Sequence, residues 1–222
     1  DDGIRLELGG KVLRSVVEEF VDIAGILEVQ DARGVDVVVV SPFVPLLFAG
    51  APAPVAAERA GLQNDGLRRM VRDHPGRVEA LGAVPLQDPD LAARELRALM
   101  ADGVLRGTEI TASVDGVYLG DPRFEPVWAA AAETGAVVFV HPTTSAFDDP
   151  VFSDYYLWNC VGNPTEIGVS AAHVVLAGVL DRHPDLKLMF SHGGGTLRAL
   201  HGRIAHVVLA GVLDRHPDLK LM

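Results

Sequence analysis

Apolar β-branched runs alternate with helical periodicity along most of the chain. Val35-Asp36-Val37-Val38-Val39-Val40 is nearly continuous and reads as a strand buried on both faces. The stretch 22–33 before it carries a helical pattern, and Gly34 stands where a helix C-terminal stop belongs. A second helix is expected over 54–73, ended by His74-Pro75-Gly76, and the next strand over 78–86. Asp88 and Pro89 open a helix running to residue 100. A short acidic side chain can accept from the first free amides, and proline suits the first turn. The pattern then gives a strand at 105–110, a helix from Asp121-Pro122 through Trp128 to residue 133 closed by Gly135, and an apolar strand at 136–140. A helix over 170–182, a strand over 186–190 and a helix beginning at 197–204 complete the series.

Between residues 34 and 192 this makes five strands separated by helices, which implies a parallel sheet with right-handed crossovers. A closed barrel and an open doubly wound sheet both satisfy that pattern. No G-x-G-x-x-G follows an early strand, so a dinucleotide-binding sheet gains no support. Ser41, Glu109, His141 and His192 fall at the C-terminal ends of strands. A barrel keeps its chemistry there, although an open sheet also binds ligands at that end.

Composition narrows the reading. A chain of 222 residues, 49% hydrophobic, can bury one sizeable core, and residues 1–222 are read as a single domain. The net charge of −11, with no block of Lys and Arg, argues against a nucleic-acid or anionic-membrane partner. No apolar run is long enough for a membrane span, and no basic-then-apolar leader opens the sequence. The single cysteine, Cys160, excludes an internal disulfide and fits a buried or inert thiol in a reducing cytoplasm, the expected location. The first residue is Asp1 rather than Met, so the N-terminus is expected to be cut.

Residues 172–189 and 205–222 are identical over 18 letters, AHVVLAGVLDRHPDLKLM. Old repeats drift at exposed positions, so perfect identity marks a recent event or an artefact of assembly. The copy repeats a helix and part of a strand but stops before the residues that follow Phe190. Local propensity makes 205–216 helical in both contexts. That copy is expected on the barrel's open side, with 219–222 loosely paired and self-association, as a homo-oligomer, favoured by the open edge.

Two histidines carry the candidate chemistry. His141 ends an apolar strand and precedes Pro142; His192 follows Leu188-Met189-Phe190-Ser191 and precedes Gly193-Gly194-Gly195. A histidine at the mouth of a buried strand reaches a pocket from a rigid backbone, and imidazole serves both as a metal ligand and as an acid/base near pH 7. Three glycines allow a ligand to approach the backbone and open a helix N-terminus that favours anions. The HGGG string also occurs in esterase oxyanion loops. The required G-x-S-x-G elbow is missing downstream, and the nearest string, Gly168-Val169-Ser170-Ala171-Ala172, lies upstream without its second glycine. His74, His183 and His216 sit in turns that end helices, His173 and His206 are expected in a core or interface, and His201 on the surface.

Leu105-Arg106-Gly107-Thr108-Glu109-Ile110, Phe139-Val140-His141-Pro142, Gly162-Asn163-Pro164-Thr165-Glu166, and the block from Gly178 to Lys187 followed by Ser191-His192-Gly193-Gly194-Gly195 and Gly202-Arg203-Ile204 form one constellation. Over residues 20–204 it resembles the amidohydrolase-related family (amidohydrolase 2) typified by aminocarboxymuconate semialdehyde decarboxylase. The resemblance implies an α/β fold, an incomplete TIM-type (β/α)₈ barrel with parallel strands. It implies a metal-dependent non-oxidative decarboxylase acting on a small carboxylate substrate, aromatic or muconate-like. A hydrolase or hydratase on the same barrel is the alternative, and a non-catalytic fragment the third reading. His141 then maps to a ligand of a divalent metal, zinc or else manganese, and His192 to the catalytic acid/base beside it. Arg106 and Arg198 are the candidates to pair with a substrate carboxylate, although surface salt bridges explain them equally well. The family's first-strand His-x-His occurs nowhere here, and the chain ends about two strands before the family's aspartate ligand. Truncation at both ends is therefore expected, with the metal not retained, because one imidazole does not hold a catalytic ion.

Overall fold

The computed structural model describes residues 6–8, 11–13, 21–143, 149–197 and 199. A short antiparallel hairpin, β1 (Leu6–Leu8) and β2 (Lys11–Leu13), precedes the main unit and was not signalled by the hydrophobic pattern. Helix α1 (Ile23–Asp31) starts where Asp22 accepts from the Gly25 amide at 3.1 Å, and Gly34 turns the chain at φ +73°. Strand β3 (Val38–Val40) leads through a short loop to α2 (Ala53–Asp73). Strands β4 (Val78–Ala80) and β5 (Gly82–Ala83) divide the run expected at 78–86; Leu81 between them donates to the Val40 carbonyl. Asp88 caps α3 (Pro89–Met100) at the Leu91 amide, 2.9 Å. Then come β6 (Gly107–Thr111), a small hairpin of β7 (Ser113–Val114) and β8 (Val117–Tyr118), α4 (Glu125–Thr134) and β9 (Val137–His141). Helices α5 (Asn163–Leu176) and α6 (Val179–Arg182) precede β10 (Lys187–Phe190).

β3 pairs with β4, β5 with β6, β6 with β9 and β9 with β10, every pair parallel. With β4 and β5 as one run, five strand positions follow one another in sequence order, each crossover carrying helix. That is the winding of a (β/α)₈ barrel, incomplete among the described residues. It is not the open sheet with a reversal of strand order.

The helices cover one face. Ala80, Ile110, Val138 and Val140 pack beneath Leu96, Leu99, Val127 and Trp128, all buried. Trp128 meets its polar requirement by donating from Nε1 to the Leu119 carbonyl at 3.2 Å, and burial of such a ring is worth about 2–3 kcal/mol. The opposite face is buried at Glu109 and Thr111 in its middle but exposed toward β3 and β10. Val39 is 57% exposed, Val37 and Met189 are exposed, and Phe139 is half-buried. The continuous valine run is thus not buried on both faces. Continuity reports hydrophobicity on both sides of a strand, but burial needs a second layer over the inner one.

Helix signals fared unevenly. The helix expected at 170–182 begins seven residues earlier and breaks at Gly178, which takes φ +70°. Val174 and Val179 are buried while Val175, Leu176 and Leu180 are exposed, so on both sides of that glycine only part of the apolar residues is covered. Cys160 is exposed rather than buried. The expectations for 205–222 and for most of 197–204 lie outside the described residues. Among the described residues no helix is long and apolar enough to cross a membrane.

Candidate functional site

His141 is the last residue of β9, opposite Thr111 of β6. Its Nδ1 lies 3.1 Å from the Pro142 carbonyl oxygen. A carbonyl only accepts, so this contact assigns the proton to Nδ1 and leaves the Nε2 lone pair available. Burial lowers the His141 pKa; the Pro142 contact opposes that, and the neighbouring His192 adds to it. The ring is therefore neutral at pH 7.

His192 follows the end of β10. Its backbone is left-handed, φ 52° and ψ 35°, and Gly193, Gly194 and Gly195 continue at φ 62°, 78° and 58°. This turn takes the chain off the strand line and brings the exposed His192 ring to 5.2 Å from the His141 ring, centroid to centroid. The turn is held against α5. A Cβ at residue 195 would stand 2.0 Å from the Pro164 carbonyl oxygen, and Thr196 donates its amide to that oxygen at 3.0 Å. Glycine at 195 is what lets the backbones meet. Residues 197 and 199 are helical, and the rest of the helix expected to open after the glycines lies outside the described residues.

Two carboxylates stand behind the histidines. Glu166, buried in the first turn of α5, accepts from the Thr143 amide at 3.0 Å, the Thr143 hydroxyl at 2.7 Å and the Ser113 hydroxyl at 3.4 Å. It ties β7 and the residue pair after β9 to α5. Glu109 sits opposite Phe139, two residues below Thr111, on the sheet face that carries His141. It is 1% exposed, its Oε2 has no partner among the described residues, and burial raises its pKa to about 7 against an opposing hydrogen bond from Ser41. The sequence marked Glu109 and Ser41 as strand-end polar residues, and Glu166 only as part of a motif. Nothing in periodicity announces that a helical glutamate will brace the loop after β9.

Other candidates fall away. Arg106 precedes β6, at the end of the sheet opposite His141, and binds Glu79 bidentately at 2.6 and 2.9 Å. A guanidinium already satisfied at the wrong rim does not receive a substrate carboxylate at the histidines. The Arg198 side chain and His201 lie outside the described residues. His183 meets Glu125 at 2.6 Å, and His173 is exposed and stacked on Tyr118 rather than in a core. Ser170 is buried and donates to the Ala112 carbonyl at 2.9 Å, so the serine of the Gly168–Ala172 string is tied into the fold.

A family model described as amidohydrolase matches residues 22–218. The chain is 31% identical over 201 residues to 2-amino-3-carboxymuconate-6-semialdehyde decarboxylase of Dictyostelium discoideum, covering 90% of this chain and 55% of that protein. The crystal structure of 5-carboxyvanillate decarboxylase from Sphingomonas paucimobilis is similar with a TM-score of 0.77 at 28% identity, covering 87% of this chain and 58% of that one. A structure of 5-carboxyvanillate decarboxylase from Novosphingobium aromaticivorans, complexed with manganese and 4-hydroxy-3-methoxy-5-nitrobenzoic acid, gives 0.75 at 25% identity over 88% of this chain and 56% of that one. The chain thus spans a little over half the length of these relatives.

Proposed function

The chain belongs to the amidohydrolase family, and from that premise we propose that its site serves the metal-dependent, non-oxidative decarboxylation of a small carboxylate, aromatic or muconate-like, with residues 1–222 acting as one barrel domain. The observation that carries this reading is the meeting of His141 and His192 at the carboxyl ends of neighbouring parallel strands, 5.2 Å apart. Decarboxylases of aromatic and muconate acids among the relatives support the substrate class.

His192 is the proton-moving group. As the bond to the carboxyl carbon breaks, carbon dioxide leaves, the electron pair stays on the substrate carbon, and the His192 imidazolium delivers its proton there. Its exposed position leaves it open to solvent, from which the proton is replaced. His141, neutral and with Nε2 free, is the ligand we assign to a divalent ion, zinc or manganese. The described donor set does not fit a retained ion. Among the described residues no group of three His, Cys, Asp or Glu side chains is placed to hold one, and a catalytic site takes three or four ligands. No step is therefore routed through the metal.

The test is product analysis. The chain, supplied with millimolar manganese or zinc, is incubated with carboxyl-labelled 5-carboxyvanillate and with aminocarboxymuconate semialdehyde. Labelled carbon dioxide from either substrate supports the reading. A hydrolysed or hydrated product without carbon dioxide favours the hydrolase on the same barrel; unchanged substrate favours the non-catalytic reading.

A further inference from the structure

The carbonyl that fixes the His141 ring and the amide that Glu166 holds belong to one peptide unit. Pro142 contributes the C=O that receives Nδ1 of His141 at 3.1 Å, and Thr143 contributes the N–H that reaches Glu166 Oε2 at 3.0 Å. A trans peptide is planar, with its C=O and N–H pointing to opposite sides. An acceptor that fixes the N–H therefore also fixes the direction of the C=O. Glu166 is itself held: it is buried, it sits in the first turn of a 14-residue helix, and its other oxygen takes hydroxyl bonds from Thr143 and Ser113. His141 is the only ring nitrogen partner that the Pro142 carbonyl has among the described residues.

We infer that Glu166 is a positioning residue that acts through the 142–143 peptide to set the tautomer and ring orientation of His141. The sequence of contacts runs from carboxylate to N–H, across the rigid peptide, and from C=O to Nδ1–H. Its product is an imidazole whose Nε2 is unprotonated, in a ring whose centroid lies 5.2 Å from that of His192. Second-partner contacts of this kind decide which ring nitrogen is offered to a ligand. Here the decision is made one peptide away from the ring, by a residue 25 positions later in the chain.

Two features separate this role from general bracing. The Thr143 hydroxyl bond to Glu166 braces the loop without passing through the peptide plane. The amide bond is the one that passes through it. Loss of the hydroxyl should weaken the loop and leave the tautomer alone. Loss of the carboxylate should release the peptide and, with it, the ring.

The experiment is nitrogen-15 NMR of the histidine side chains at pH 8, where long-range couplings from the ring carbons distinguish Nδ1–H from Nε2–H. His141 is assigned by its absence in H141Q. Wild type is expected to show His141 as Nδ1–H. In E166A at least about half of that population moves to Nε2–H or to a rapidly exchanging mixture, because the carbonyl no longer holds one direction. E166Q restores the wild-type tautomer, since an amide oxygen accepts the Thr143 N–H. T143A keeps Nδ1–H while its urea midpoint falls. A wild-type tautomer in a folded E166A overturns the inference. So does a T143A spectrum altered as much as that of E166A. If E166A does not fold, E166Q and T143A decide: loss of Nδ1–H in E166Q together with its loss in T143A assigns the effect to the loop as a whole and overturns the peptide route. Substrate and metal take no part in the measurement, so failure of the decarboxylase reading and failure of this inference are separate results.

Discussion

Gly195→Ala tests how the His192 turn is built. The added methyl would lie 2.0 Å from the Pro164 carbonyl oxygen, 2.9 Å from its carbon and 3.1 Å from Ile167 Cβ. A carbon and an oxygen not bonded to each other stay more than 1 Å further apart than the first of these. Two backbones must therefore separate, and the 3.0 Å bond from the Thr196 amide to Pro164 goes with them. Residue 195 also holds φ 58° with ψ −130°, a conformation left to glycine that costs an L-residue about 1–3 kcal/mol. Adding about 1 kcal/mol for the hydrogen bond and a similar amount for overpacking gives a loss on the order of 3–5 kcal/mol. Gly193→Ala is the internal control. It too has positive φ, 62°, but nothing stands within 4 Å of its new methyl. It should lose only about 1–2 kcal/mol. Urea unfolding of both variants gives the difference between them, which reports the clash. Nuclear Overhauser contacts between the His141 and His192 rings report whether the turn moved instead. Equal midpoints for the two variants, with the ring contacts unchanged in G195A, would refute the reasoning.

Three further outcomes follow from the described groups. Burial raises Glu109 to about 7, above its unfolded value, so ionising it opposes folding. Stability is lost as pH climbs from the unfolded carboxylate range through 7, and E109Q should exceed wild type at pH 8 by on the order of 3 kcal/mol while matching it near pH 4. Thermal melts at the two pH values check this, and a variant no more stable than wild type at pH 8 contradicts it. Glu125 runs the other way: Arg182 first, then His183, hold its pKa below the usual value, so it contributes above the unfolded pKa and that contribution disappears as pH falls through the folded one. Because the pair is well exposed, E125Q should flatten the acid limb of the stability curve by only tenths of a kcal/mol, and a loss above about 1 kcal/mol would show that screening was overstated. Finally, the chain dialysed against metal-free buffer should hold far less than one equivalent of zinc or manganese by elemental analysis. Stoichiometric metal would mean that residues other than His141 supply ligands we have not recognised.

Much of the barrel could be read from local chemistry. Asp22, Asp88 and Asp121 each cap the element they were expected to open, because a short acidic side chain before a helix has one strong use. His141 and His192 stood out because a polar residue closing an apolar run has few structural reasons to be there, and the parallel winding then brought them together. What escaped was set by tertiary contact. Gly178 breaks a helix whose periodicity runs on through it, and Arg106 was consumed by Glu79 across a strand pair. The exposure of Val37 and Val39 depends on what lies over the inner face, which a strand's own letters do not record. Glu166 was visible as part of a motif, yet its bond to the amide after Pro142 exists only once α5 lies over the end of β9.

The most direct test of the His141–His192 site is hydrogen exchange at the carbon that decarboxylation vacates. The decarboxylated product of 5-carboxyvanillate is incubated in deuterium oxide with the chain and millimolar manganese, and deuterium at that carbon is followed by proton NMR. By microscopic reversibility the group that delivers the proton also removes it. Wild type should incorporate one deuterium at that carbon alone, and His192→Asn should abolish the exchange without lowering the unfolding free energy from urea melts by more than about 1 kcal/mol. Exchange in His192→Asn at the wild-type rate would contradict the assignment of His192 as the proton-moving residue.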